Sequence, residues 1–122
     1  MLETHTLYRL ETADGLGIYQ QGRDRASALA NDYFNERRRH PMPYDDALLS
    51  DFYADEFDRN RHRFAFASLE QFKFWFYRER TTLASYGARL HVIEAPAILG
   101  ETQAIYDADG AVYVDELDLA TV

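Results

Sequence analysis

His62-Arg63-Phe64-Ala65-Phe66-Ala67 runs directly into Ser68-Leu69-Glu70-Gln71-Phe72-Lys73-Phe74-Trp75-Phe76, and the pattern of apolar residues changes at Ser68. Before it, residues alternate, as on a strand whose successive side chains point to opposite faces. After it, Leu69, Phe72, Trp75, Phe76, Leu83 and Tyr86 recur at helical spacing. Ser68-Leu69-Glu70-Gln71 has the form of a capping box, in which the serine hydroxyl and the glutamine side chain satisfy backbone N–H groups that a helix start leaves unpaired. A helix is therefore predicted from Ser68 to about Tyr86, ended by Gly87.

Outward from this junction, Thr4–Glu11 alternates and is rich in β-formers, and Asp14-Gly15-Leu16-Gly17 breaks it. Asp24 is placed as the cap of a helix with the stripe Ala26, Leu29, Ala30, Tyr33 and Phe34. Arg37-Arg38-Arg39 lies at its carbonyl end, and Pro41 and Pro43 stop it. Leu48, Leu49, Phe52, Tyr53 and Phe57 predict a further helix over residues 44–58, with Asp51, Asp55 and Asp58 together on its opposite side. Ala88–Glu94 reads as a strand, Pro96 as the start of a connection. Thr102–Tyr106 and Ala111–Asp115 read as a hairpin around Asp107-Ala108-Asp109-Gly110. The order β-α-α-β-α-β-β-β does not alternate regularly, so the expected class is α+β, three helices packed on a mostly antiparallel sheet.

With 122 residues, 47% of them hydrophobic, the chain is expected to form one domain over residues 1–122. It has no cysteine, which excludes a disulfide scaffold, a thiolate metal site and a cysteine nucleophile. The four histidines are far apart in sequence, and no metal site is expected. No apolar run approaches the roughly 18 residues of a membrane span, and no signal peptide is recognisable, so a cytoplasmic location is expected. Glycine-rich phosphate loops and the nucleophile elbow are absent; Gly15-Leu16-Gly17 is a turn.

The net charge of −8 disfavours direct binding to nucleic acid or an anionic membrane. Its distribution is more informative than its size. Residues 41–58 carry Asp45, Asp46, Asp51, Asp55, Glu56 and Asp58 and no base; residues 59–91 carry seven bases against two acids; residues 92–122 carry seven acids and no base. Such blocks either match one another inside the fold or form separate surface poles. Glu79 falls within the apolar stripe of the predicted 68–86 helix, where a carboxylate needs a partner: an arginine in a structural role, or a reaction that uses a raised pKa. Phe74 and Tyr77 point away from that stripe, towards a second packing layer or a partner.

Leu7-Tyr8-Arg9-Leu10-Glu11 with Asp14-Gly15-Leu16-Gly17-Ile18-Tyr19, then His40-Pro41-Met42-Pro43, then Phe64 to Gln71 leading to Trp75-Phe76, resembles a group of small proteins carried by bacteriophages and other mobile elements. The likeness spans most of the chain. Small acidic phage proteins resemble, as a class, anti-restriction and anti-CRISPR inhibitors, which present carboxylates to a surface built for phosphates. The resemblance to the phage group implies a genomic setting rather than a reaction, and the likeness to the inhibitor class leads to the expectation of a binding protein that acts without catalysis or cofactor. Its partner would be a host protein or ribonucleoprotein complex with a basic nucleic-acid-binding surface. The contact residues would be Asp45, Asp46, Asp51, Asp55, Glu56 and Asp58, assisted by Phe74 and Tyr77. A helix spaces such carboxylates by about 5–10 Å along its axis, comparable to the charge spacing of a nucleic-acid strand.

The layout also resembles a reduced ADP-ribosyltransferase. That likeness implies NAD held by Arg9 and Ser68, with Gln103 standing where the steering glutamate belongs. Phe66-Ala67-Ser68 replaces the Ser-Thr-Ser pattern of that family, and Glu101-Thr102-Gln103 replaces Glu-x-Glu. A third expectation is a phage assembly component that associates through aromatic surface.

Overall fold

A computed structural model of the chain describes residues 2–17 and 42–122. The helix expected from Asp24, with the basic run Arg37–Arg39 and the His40-Pro41 step, lies outside the described residues. Among those described, the chain is α+β. Strand β1 (Thr4–Glu11) is followed by a 3₁₀ turn at Pro43–Asp45, α1 (Ser50–Asp55) and β2 (His62–Ala65). Then come α2 (Leu69–Phe76), α3 (Arg80–Ser85), β3 (Arg89–Leu99), β4 (Ala104–Asp107), a 3₁₀ turn at Ala108–Gly110 and β5 (Val112–Leu117).

All five described strands are antiparallel to their neighbours, and β3 organises them. One edge of β3 pairs along its length with β1, Thr4 opposite Pro96 and Glu11 opposite Arg89. Its other edge pairs first with β5 and then, past Pro96, with β4, which in turn carries β2. The path β1–β3–β4–β2 returns to β1 through the Tyr8–Phe66 pair, joined by two backbone hydrogen bonds of 2.8 Å. The sheet thus curls back on itself.

Two expectations are corrected here. Asp107–Gly110 does not join a hairpin: β4 and β5 do not pair with each other, and both run antiparallel to β3. The Asp107 carboxylate accepts the Asp109 N–H at 3.0 Å, closing a 3₁₀ turn that displaces the chain without reversing it. Nor does Pro96 end the preceding strand. The Ala97 N–H donates to Glu3 O on the β1 side, so the ring nitrogen of Pro96 faces the opposite edge, where the 108–110 turn interrupts the pairing and no donor is needed. A Cβ on Gly110 would stand 2.8 Å from the proline ring.

The helix predicted from Ser68 begins as expected. The serine hydroxyl accepts the Gln71 N–H at 3.1 Å, and the glutamine side chain accepts the Ala67 N–H at 2.8 Å. It is two helices rather than one. At Tyr77–Glu79 a bond from Glu79 N–H to Phe76 O tightens the chain by one residue, and the helix restarts as α3. The bend keeps Leu83 in the same cluster as Phe72, Trp75 and Phe76, which pack with Phe66 of the β2 extension, Leu10 of β1 and Leu90 of β3. Each such side chain contributes about 2–3 kcal/mol on burial. On the other side of the sheet a cluster built largely from alanines surrounds Leu7, Ile93 and Tyr106.

Candidate functional site

The acidic segment 41–58 is only partly the continuous helix its periodicity predicts, because α1 covers Ser50–Asp55 alone. Leu49 is fully buried beneath it, and Phe52, Tyr53 and Phe57 form an aromatic layer on β2, with Phe57 stacked on Phe64 at 5.2 Å. This layer turns Asp51, Asp55 and Glu56 outward. Asp45, in the preceding 3₁₀ turn, is also exposed.

Asp58 is exposed but does not belong to the helix. It sits in the turn to β2, where its carboxylate accepts the Asn60 N–H and its own N–H donates to His62 Nδ1. Asp46 is a correction: it is 1% exposed and cannot meet a partner. Its Oδ2 accepts the Thr102 N–H and hydroxyl, each at 2.8 Å, and its Oδ1 accepts the Leu48 N–H at 3.0 Å. Leu48, expected in the core stripe, is 56% exposed and stands three residues before Asp51. An apolar side chain thus accompanies the carboxylates, a feature that helical spacing alone assigned to the interior.

The charge blocks prove to be partly matched with one another, through arginines that are themselves half exposed, and partly left without an ion pair among the described residues. Arg61 donates to Asp107 Oδ2 from both Nε (2.9 Å) and NH2 (2.6 Å) and lies 3.8 Å from Asp109; Arg89 donates to Glu116 at 3.3 Å. Among the described residues Asp51, Asp55 and Glu56 form no ion pair. The bonds from Arg61 hold the Asp107 carboxyl below its ordinary value of 3.8. Burial works to raise the Asp46 carboxyl, but the bonds from Thr102 and the backbone of Glu101 and Leu48 outweigh it, and the group also ends below 3.8.

Acid therefore favours the unfolded chain, which takes up these protons first as the pH falls. The stability contributed is whole above about pH 5 and is lost as the pH drops through the lowered pKa values. In urea unfolding, the destabilisation caused by Asp107→Asn is expected to shrink steadily between pH 5 and about pH 2.

A second polar constellation lies under β5. Arg9 and Glu11, two residues apart on β1 and therefore on one face, are both buried. Arg9 Nε donates to Glu11 Oε2 at 3.3 Å and NH1 to Phe64 O at 2.7 Å. The Tyr113 hydroxyl donates to the same Oε2 at 2.5 Å, and His91 Nε2 stands 3.4 Å from Oε1. Burial, and then the bond to Glu11, push the Tyr113 phenol far above its usual range, so it remains a donor. One carboxylate thus gathers arginine, tyrosine and histidine from three strands. That role escaped the sequence reading of Glu11, His91 and Tyr113, although the spacing of Arg9 and Glu11 is its visible trace.

The residues expected to hold NAD are committed elsewhere. Arg9 is bound to Glu11 and Phe64 O, Ser68 caps α2, and Gln103 is buried in the β3–β4 turn, where its carbonyl accepts the Gly100 N–H at 2.8 Å. Phe74 and Tyr77 are 56% and 49% exposed on the outer side of α2, and Arg80 lies over the Tyr77 ring at 4.3 Å. Glu79 is buried at the start of α3. Among the described residues no cluster of histidine and carboxylate could hold a metal, and no helix is long and apolar enough to cross a membrane.

These features define a small acidic α+β protein that combines an exposed carboxylate surface with a buried polar network. The chain belongs to the family described as Bacteriophage T4 Y00F protein, whose model matches residues 1–120, and is thus a phage-type protein. No curated protein and no solved structure matches it.

Proposed function

We propose that the chain is a non-catalytic phage inhibitor of the anti-CRISPR or anti-restriction kind. Its partner in the host cytoplasm is a protein or ribonucleoprotein with a basic surface made for nucleic acid. The observation that carries this reading is the contrast among the acids: Asp107, Asp109 and Glu116 meet arginines of the chain itself, whereas Asp51, Asp55 and Glu56 stand outward without an ion pair among the described residues. Carboxylates presented on a helix beside exposed Leu48 offer a cationic surface both charge and an apolar contact. Asp45 and Asp58 widen the field, and Phe74 and Tyr77 provide further apolar area if the partner reaches α2.

The test is a plating assay in a host that restricts an incoming phage, with the chain expressed beforehand. Protection of the phage is expected, and Asp51→Lys with Asp55→Lys is expected to reduce it about tenfold or more. The fold should remain, because exposed substitutions usually shift stability by about 0.5 kcal/mol or less. Full protection by the doubly reversed variant would reject the surface. Complex formation that is unchanged up to about 0.5 M salt would reject the electrostatic mechanism, since charges are then screened within a few ångströms.

A further inference from the structure

The outer edge of β5 is a further exposed surface among the described residues. β3 is the strand partner of β5 on one side; no described strand pairs with it on the other. Val112, Tyr113 and Val114 are all about half exposed, a run of three large apolar residues at an open edge. Edges of this kind are templates for another chain, and proteins blunt them with charge or a bulge. β5 has both: the register against β3 slips between Val92 and Ile93, leaving Val114 as the extra residue, and Asp115 and Glu116 follow it.

The blunting is selective in sign. The Asp115 carboxylate accepts the Glu116 N–H at 2.8 Å, so a donor is already used at this end of the strand, and of the two acids Glu116 meets Arg89 whereas Asp115 forms no ion pair among the described residues. Immediately beyond, a groove of about 580 Å³ opens between Ala13, Gly87, Arg89, Glu116, Asp118 and Leu119. Arg89 is engaged by Glu116, and the exposed Asp118 on the rim, whose carboxylate accepts the Ala120 N–H at 2.9 Å, forms no ion pair among the described residues. A second copy is disfavoured because it would bring together two chains that each carry −8.

The geometry points to an extended polypeptide segment of alternating basic and apolar residues as the occupant. Its backbone lies along β5, its apolar side chains rest on Val112 and Val114, and a lysine or arginine enters the groove beside Asp118. This surface is separate from the α1 carboxylates and does not depend on their role.

A synthetic peptide of alternating lysine and valine is the probe, titrated into the isotope-labelled full chain. Amide shifts and slowed hydrogen exchange are expected over residues 112–118. The affinity should fall about tenfold in Val114→Lys with Asp115→Lys, and similarly in Val112→Lys, which leaves both acids in place. Emission from the buried Trp75 checks that each variant is folded. A peptide with glutamate in place of lysine should not bind.

Shifts confined to residues 51–58, or abolished by Asp51→Lys with Asp55→Lys, overturn the inference and leave the α1 proposal standing. Shifts scattered over every acidic residue, or self-association of the chain through β5, also overturn it. Conversely, a peptide response at β5 survives even if the charge-reversed α1 variant protects phage as well as the parent.

Discussion

Replacing Glu11 with alanine is expected to cost about 3–5 kcal/mol of folding stability, read as a lowered midpoint in urea unfolding followed by Trp75 fluorescence. Glu11 Oε2 receives both the Arg9 guanidinium and the Tyr113 hydroxyl, and Oε1 faces His91. The carboxylate is buried, so water cannot take its place without opening the seam between β1, β3 and β5. A charged arginine left beside the gap loses a partner that its desolvation required, and this loss, rather than the intrinsic worth of the pair, makes the cost large. Tyr113→Phe removes one bond and leaves the carboxylate and Arg9 in place, and should cost about 1–2 kcal/mol. A Glu11→Ala loss no larger than the Tyr113→Phe loss would show that the carboxylate does not hold the three strands together.

Gly100→Ala should destabilise the fold by about 3 kcal/mol, near the upper end of what overpacking costs. A Cβ at this position would stand 2.5 Å from Asp46 Oδ2, 2.6 Å from the Gln103 carbonyl oxygen and 2.6 Å from Leu49 Cγ. None of these can retreat cheaply. Asp46 is held by Thr102, the Gln103 oxygen is the acceptor of the Gly100 N–H, and Leu49 is fully buried. The same turn receives Gln71 Nε2 on Gly100 O and Trp75 Nε1 on Thr102 O, each at 3.0 Å, so displacement there reaches α2. A change in Trp75 emission should therefore accompany the loss of stability. Gly15→Ala is the control: its φ of +79° strains alanine, but nothing lies within 4 Å of the added methyl, and about 1 kcal/mol is expected. Equal losses at the two glycines would mean that the turn yields and that Asp46 does not fasten it.

Both predictions concern contacts between residues far apart in the chain, and there the sequence reading was weakest. β1 was legible to its ends because alternation and a glycine break are local signals. Ser68 was legible as a cap for the same reason. Asp46 was grouped with the surface carboxylates because it shares their charge; its burial follows from Thr102, 56 residues away. The helix over residues 44–58 was read too long, since helical spacing continues through Phe57 although the last helical bond of α1 runs from the Glu56 N–H to Phe52 O. Leu48 fits that stripe and still lies outside it. The supposed hairpin had appropriate turn residues, but a 3₁₀ turn at Ala108–Gly110 uses the same residue types, and β3 offers an edge long enough to pair with both flanking strands.

By itself the amino-acid order determined the α+β class, the first strand, the capped helix start and the division of charge into blocks, because each depends on neighbours within a few residues. Tertiary structure alone decided which acids meet an arginine, which carboxylate is buried under Thr102, and that no described strand pairs with the outer edge of β5. Burial and pairing are properties of surfaces brought together across the fold, and no local pattern encodes what will stand opposite a side chain once β3 has gathered its partners.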